Sequence, residues 1–408
     1  MFRPQFLRRL DEAYGSRPFL RFIIPIIILS SAKLLAGFFL FQYLRIDQND
    51  SYWMTVSWGD AGENNLLVSE INQSIRWPYL FLGWDSGWYL SILAKGYAFS
   101  SQSYAFFPAF PIFTWLLNLV VKNLFVSAAL FSSIIGIAWL PIYQVVAENY
   151  MDKHDALKST LLYGFSPYVF LFTSVVYGEG VFLLATLGAW LFFKKKMLLL
   201  AGVFASIAAV SRPPGIVIMV PILFEVINTI KADRYSIRRR DLFCLMLPFI
   251  SFTIWLFYCK LTVGNWLAPF TTTYWSDMYS FFNLVLQTLS QNSIHGLFEN
   301  MNISSSSLYY SITAIIFIIF PPIMIHHIFK KEKSIAIYST SYFLGILAFG
   351  NLTSIPRFIS FFPFIWMLST PRTSHARHSN MITIATCALF YVSAIILWYF
   401  FLNGIFIS

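Results

Sequence analysis

The sequence predicts an all-α polytopic membrane protein, and three observations predict it. Of 408 residues, 58% are hydrophobic and only 11% are charged, against about a quarter in an ordinary soluble domain. Mean hydropathy is +0.65. Apolar runs recur along the whole chain, and in lipid such runs must be helical, because only a helix pairs its backbone groups within itself. A soluble fold could not cover so much apolar surface. The composition excludes a soluble enzyme, a disordered chain, a coiled coil and a disulfide scaffold, and it points to one domain over 1–408.

Apolar runs of spanning length, or close to it, lie near 21–43, 125–148, 159–175, 180–193, 197–211, 214–230, 242–261, 308–328, 334–350, 356–370 and 380–402. The first is longer than a signal-peptide core, and no small-residue cleavage site follows it, so it reads as a retained span. Pro167, Pro213, Pro214, Pro321 and Pro322 interrupt several runs, as expected where helices line a cavity rather than face lipid. Two long segments without a span, roughly 44–121 and 262–307, separate the runs, and unstructured loops of that length are uncommon unless functional. No internal repeat is evident.

Net charge is +10, from 28 Lys+Arg against 18 Asp+Glu. In a membrane protein this excess belongs to cytoplasmic loops, not to nucleic-acid binding. Arg3, Arg8, Arg9, Arg17 and Arg21 place the N-terminus inside. Lys194-Lys195-Lys196, the loop 231–240, and the stretches 326–333 and 372–378 are cytoplasmic by the same rule. The turn at Tyr177-Gly178-Glu179, Arg212, 262–307 and 351–357 then fall outside, as does 44–105. Both directions of counting agree only if the further run 106–121 does not cross. It reads as an external interfacial helix entered at Phe107-Pro108, which leaves about eleven transmembrane helices.

Cys244, Cys259 and Cys387 sit in apolar segments without CxxC spacing and read as small hydrophobes. Of six histidines only His295 is expected outside. No HExxH or DxD pattern and no Gly-rich phosphate loop occurs, so neither a metal, a nucleotide nor another cofactor is expected.

Chemistry gathers on the external side. The first loop holds Gly83-Trp84-Asp85-Ser86-Gly87-Trp88-Tyr89, then Ala94-Lys95-Gly96-Tyr97. In a helix over 85–93, Asp85, Trp88 and Tyr89 share one face at i, i+3 and i+4. A carboxylate among rings suits a sugar: the acid takes a hydroxyl proton, and a ring lies against the sugar's C–H face. The plainer reading makes Trp84 and Trp88 an interfacial belt and Asp85 a helix cap. Arg212 and Arg357 are external arginines beside spans, costly near lipid unless they meet an anion or snorkel to water. Glu179 stands between two spans and can take hydroxyls or hold an arginine. Lys260 reads as a helix-end anchor, and Trp266, Trp275 and Asp277 as interfacial.

The blocks resemble the PIG-V family of mannosyltransferases, in the multi-span GT-C class. They follow that family's order: Trp84-Asp85 with Tyr89; Ala-Phe-Phe-Pro-Ala-Phe-Pro at 105–111; Phe165-Ser166-Pro167 with Val176-Tyr177-Gly178-Glu179; Ser211-Arg212 with Gly215; and Pro356-Arg357-Phe358. Gly178 stands where the family usually has Ser, and Pro213-Pro214 where it has Asn-Gly or Thr-Gly. The compact length fits a prokaryotic relative.

The resemblance implies a GT-C-like bundle whose long external first loop, 44–121, carries interfacial helices and catalysis. It implies a donor such as dolichyl-phosphate mannose or another polyprenyl-phosphate sugar, and a glycolipid or glycan acceptor. An inverting displacement follows, with Asp85 as base, Glu179 as a second catalytic carboxylate, and Trp84, Trp88, Tyr89, Tyr177, Arg212 and Arg357 around the substrates. The site faces outward from a plasma membrane in a prokaryote, or into the lumen of the endoplasmic reticulum in a eukaryote. No obligate protein partner is evident. The competing class is a transporter or flippase of lipid-linked sugars, or a related enzyme using another lipid-linked sugar.

Overall fold

A computed structural model describes residues 20–43, 80–232, 239–271, 332–349, 355–364, 367 and 376–402. These residues form helices and turns, with no strand among them. In chain order the helices are α1 (Leu20–Tyr43), α2 (Ser86–Lys95), α3 (Ala109–Val121), α4 (Leu124–Ala147), α5 (Lys153–Phe165), α6 (Pro167–Phe172), α7 (Glu179–Lys194), α8 (Leu198–Ala209), α9 (Met219–Ala232), α10 (Arg239–Val263), α11 (Ala268–Thr271), α12 (Lys333–Phe349), α13 (Ile355–Ser360) and α14 (Ala376–Leu402). Short 3-10 turns cover Tyr97–Phe99, Ser101–Ala105 and Pro213–Ile218. The expected run 308–328, and the loop parts 44–79 and 272–307, lie outside the described residues.

Among the described residues, five helical stretches are long and apolar enough to cross a membrane: Leu20–Gln42, Leu124–Ala147, Pro213–Lys231, Phe243–Val263 and Asn380–Leu402. The described chain therefore has the make-up of an α-helical membrane protein. Leu34, Leu35 and Phe38 on α1, Phe243, Ile254 and Leu261 on α10, and Met381 and Leu389 on α14 are all exposed. Apolar belts of that extent call for lipid, not water.

Two apolar runs are not single helices. The run 159–175 breaks at Ser166, which is extended (φ −50°, ψ 128°), and α6 begins on Pro167. Proline lacks the N–H a continuing helix needs and drives the residue before it out of the helical region. In the run 356–370, α13 ends at Ser360 and the chain turns at Phe361, two residues before Pro363. The residue before Pro363 is disfavoured in helix for the same reason.

The doubtful run 106–121 folds as α3, with 13 residues, about 20 Å long against a hydrocarbon core of about 30 Å. Its Phe113 packs on Phe131 of α4, and its Asn118 Oδ1 accepts from Ser127 Oγ at 3.0 Å. It therefore runs antiparallel beside the first half of α4 rather than lying as an isolated surface helix. Ile112, Trp115, Leu119 and Val120 stay exposed.

α4 is the central helix, touching α1, α2, α3, α5 and α7. Its Trp139 and Tyr143 are fully buried, and the Tyr143 ring stacks on Tyr163 of α5 at 4.9 Å. Beyond it α7 packs on α8, and α8 on α10. Lipid tails are as apolar as the core, so such contacts depend on close packing and small residues. A Cβ on Gly202 would stand 2.1 Å from the Cys244 carbonyl oxygen, so α8 and α10 can meet this closely only at glycine.

The bundle has two distinct ends. At one, Arg21 Nη1 meets Glu148 Oε2 at 3.2 Å, Trp190 Nε1 donates to the Tyr150 hydroxyl at 3.1 Å, and Lys194 Nζ pairs with Glu225 Oε1. The other end is marked by Glu179, which starts the 16-residue α7, about 24 Å from Lys194 at 1.5 Å per residue.

Candidate active site

Four charged side chains from four parts of the chain meet at the Glu179 end. Asp85 opens α2. Its φ of −62° and ψ of −17° are already helical, and its side chain makes no capping bond. That removes the capping role and leaves the carboxylate to other partners. The preceding Trp84 has φ 48°, an uncommon left-handed conformation for a residue other than glycine and one that clusters at functional sites. The Asp85 backbone N–H donates to the Tyr177 hydroxyl at 3.0 Å.

Glu179 is the first residue of α7 and is fully buried. A carboxylate there also meets the positive end of the helix dipole. Its Oε1 takes Arg212 Nη1 in a short ion pair and faces Arg357 Nε at 3.6 Å. Its Oε2 is buried with no hydrogen-bond partner among the described residues. Burying a carboxylate is costly unless it is paired, and two guanidiniums answer that cost.

Arg212 is extended, at φ −159° and ψ 157°, just before Pro213. The proline excludes helical geometry at the residue before it. Its guanidinium lies over the Phe358 ring at 4.8 Å. Arg357 donates from Nη1 to Asp85 Oδ2 at 3.2 Å and lies over Phe172 at 5.1 Å and Tyr177 at 5.7 Å. It is the third residue of the six-residue α13, directly after Pro356.

The two carboxylates differ in access: the Asp85 side chain is 31% exposed and that of Glu179 1%. Asp85 can meet an incoming hydroxyl, whereas Glu179 is built in as the anchor of both arginines.

The aromatic residues divide. Tyr89 packs on Phe110 and Tyr177, and its hydroxyl stands 2.9 Å from where a Gly178 Cβ would be. Serine or alanine at 178 would press on that hydroxyl. Burial, and after it the charge of Glu179, pushes the Tyr89 phenol above its ordinary pKa, so it remains a donor. Trp88 stacks on Phe106 at 5.5 Å and is buried. Asp85, Trp88 and Tyr89 follow one another in helical geometry, with the Trp88 and Tyr89 N–H groups both donating to the Asp85 carbonyl, and the Trp88 ring contacts are Phe99 and Phe106. Trp84 packs against the main core.

Of the rings beneath the guanidiniums, Phe358 closes the block Pro356-Arg357-Phe358, whereas Phe172 has no distinguishing mark in the sequence. Lys260 donates to the Gly264 carbonyl at 2.8 Å and closes the end of α10, and Trp266 packs on Phe257. Trp275, Asp277 and His295 lie outside the described residues. No group of three or more His, Cys, Asp or Glu among the described residues is placed to hold a metal ion. Comparison with known proteins gives no matching family model and no matching curated relative.

Proposed function

We propose that the chain is an integral-membrane inverting glycosyltransferase of PIG-V-like, GT-C character. It moves mannose or a similar hexose from a polyprenyl- or dolichyl-phosphate donor to a hydroxyl of a glycolipid or glycan. The reading includes about eleven spans, with the charged cluster on the external or luminal face. The observation that carries it is the pairing of a partly exposed carboxylate, Asp85, with Arg357 beside the buried Glu179–Arg212 pair.

Asp85 accepts the proton of the acceptor hydroxyl as that oxygen attacks the anomeric carbon. The bond from that carbon to the phosphate oxygen breaks, and its electron pair leaves with the lipid phosphate. The phosphate gains negative charge, and a guanidinium can meet it with two parallel hydrogen bonds. Arg357 is the better placed, because its present partner Asp85 is the more exposed carboxylate. A single lipid phosphate met in this way requires no nucleotide loop.

The test is to incubate purified protein with several polyprenyl-phosphate sugars and an extract of acceptor glycolipids, and to measure release of free polyprenyl phosphate. Release with one sugar, dependent on acceptor, supports the transferase. A second reading, a transporter or flippase of lipid-linked sugars, draws on the helix break at 173–178 inside the bundle. It requires movement of intact donor across vesicles without release, and that result would replace the first reading.

A further inference from the structure

We infer that Lys33, in the middle of α1, is a positioning residue that clamps the break between α6 and α7 and thereby sets one wall of the charged cluster. Lys33 stands near the midpoint of an apolar stretch, Leu20–Gln42, with Leu34 and Leu35 beside it exposed. Either membrane surface is about 15 Å away, beyond the reach of a lysine side chain, so it cannot snorkel to water. It turns inward instead.

An ammonium has three N–H donors, and Lys33 has three acceptors. Nζ donates to Thr173 Oγ1 at 2.8 Å, to the Thr173 carbonyl at 3.0 Å and to the Gly136 carbonyl at 3.1 Å. The Phe170 ring lies 5.8 Å below it. The Thr173 carbonyl is available because α6 ends at Phe172, so no in-helix donor follows. A Cβ on Gly136 would stand 1.8 Å from that same carbonyl oxygen. Only glycine lets the break lie directly on α4, within reach of Lys33.

The clamped residue adjoins the cluster on both sides. Phe172, just before it, carries a ring under Arg357. After it the chain bonds back to the α2 approach through Val176 N–H to the Phe81 carbonyl, 2.9 Å, and then supplies Tyr177 and Glu179. An ionisable residue within a span is ordinarily retained for a function and paired with a named partner. Here the partners are backbone and hydroxyl oxygens of the segment that builds the site.

The test uses the full chain in lipid nanodiscs and reads amide hydrogen exchange, which requires no substrate and so stands apart from the transferase reading. Lys33→Met keeps length and removes the donors. Exchange across 173–178 should accelerate at least tenfold, while segment 190–198 at the far end keeps its rates. Lys33→Arg, which retains charged donors, should restore slow exchange. Thr173→Val keeps the lysine and both carbonyl acceptors, and should accelerate the same segment by about threefold. That variant decides the matter if Lys33→Met does not fold. Unchanged exchange at 173–178 in Lys33→Met, or in Thr173→Val if Lys33→Met does not fold, overturns the inference. Equal acceleration throughout the protein also overturns it, because it marks a residue of general stability.

Discussion

Asp85 and Glu179 carry the same chemical group in opposite settings, and their variants should fail in different ways. Asp85→Asn keeps shape but loses the proton acceptor. Turnover should drop about 10²-fold or more, with expression, melting temperature and donor binding retained in a parallel binding assay. Glu179→Ala leaves two buried guanidiniums without their shared partner. Breaking a buried pair in this way costs about 3–5 kcal/mol, so the variant should show a clear loss of thermal stability in detergent. If Asp85→Asn turns over normally, the proton goes elsewhere. Arg357→Lys keeps charge but loses the planar fork and its stacking on Phe172. Donor use should weaken more than for a lipid-facing substitution such as Leu34→Ala, and Arg357→Ala should be worse still, as read from donor KM and turnover. The sequence already pointed to Asp85, Glu179, Arg212 and Arg357, because charges are rare in so apolar a chain. Their pairing was not legible there. Arg357 meets Asp85 across 272 positions, and no local periodicity records such a contact. Lys33 was readable in principle as a charge inside the first apolar run, but the length of that run concealed it.

At the scale of elements, proline chemistry was the most legible feature. Pro167 and Pro213 end or bend the chain where backbone sterics require it, and the extended Arg212 follows directly. The run 356–370 misled because hydropathy measures apolar content and not whether N–H groups are available to continue a helix. For α3 the decisive quantity is length. If its 13 residues do not cross the bilayer, cysteines at Ala98 and Lys122, on either side of it, should react with an impermeant thiol reagent from the same face. Labelling from opposite faces would make α3 a span and invert the assignment of everything after it. Gly178 is a poor reporter for such work, since any side chain there meets Tyr89.

For the whole molecule, the paired ends of α7 give a direct check on orientation. Lys195 is exposed at the end opposite Glu179. A cysteine there should be silent to the reagent that labels Ala98→Cys in intact cells, and should react once the membrane is opened. EDTA should leave transfer activity unchanged in the proposed mechanism. Activity lost in EDTA and restored by manganese or magnesium would recast Asp85 and Glu179 as ligands. The Lys33 clamp also bears on how the protein is made. Its bonds join residues 103 and 140 positions apart. At about 5–20 residues per second, the ribosome delivers Thr173 roughly 7–28 s after Lys33. For that interval the first helix carries an ammonium whose set of acceptors is incomplete, the Gly136 carbonyl being made before the two oxygens of Thr173. It must wait at a protein or water boundary before it settles into lipid, so the last step in seating the first helix belongs to a residue synthesised nearly halfway along the chain.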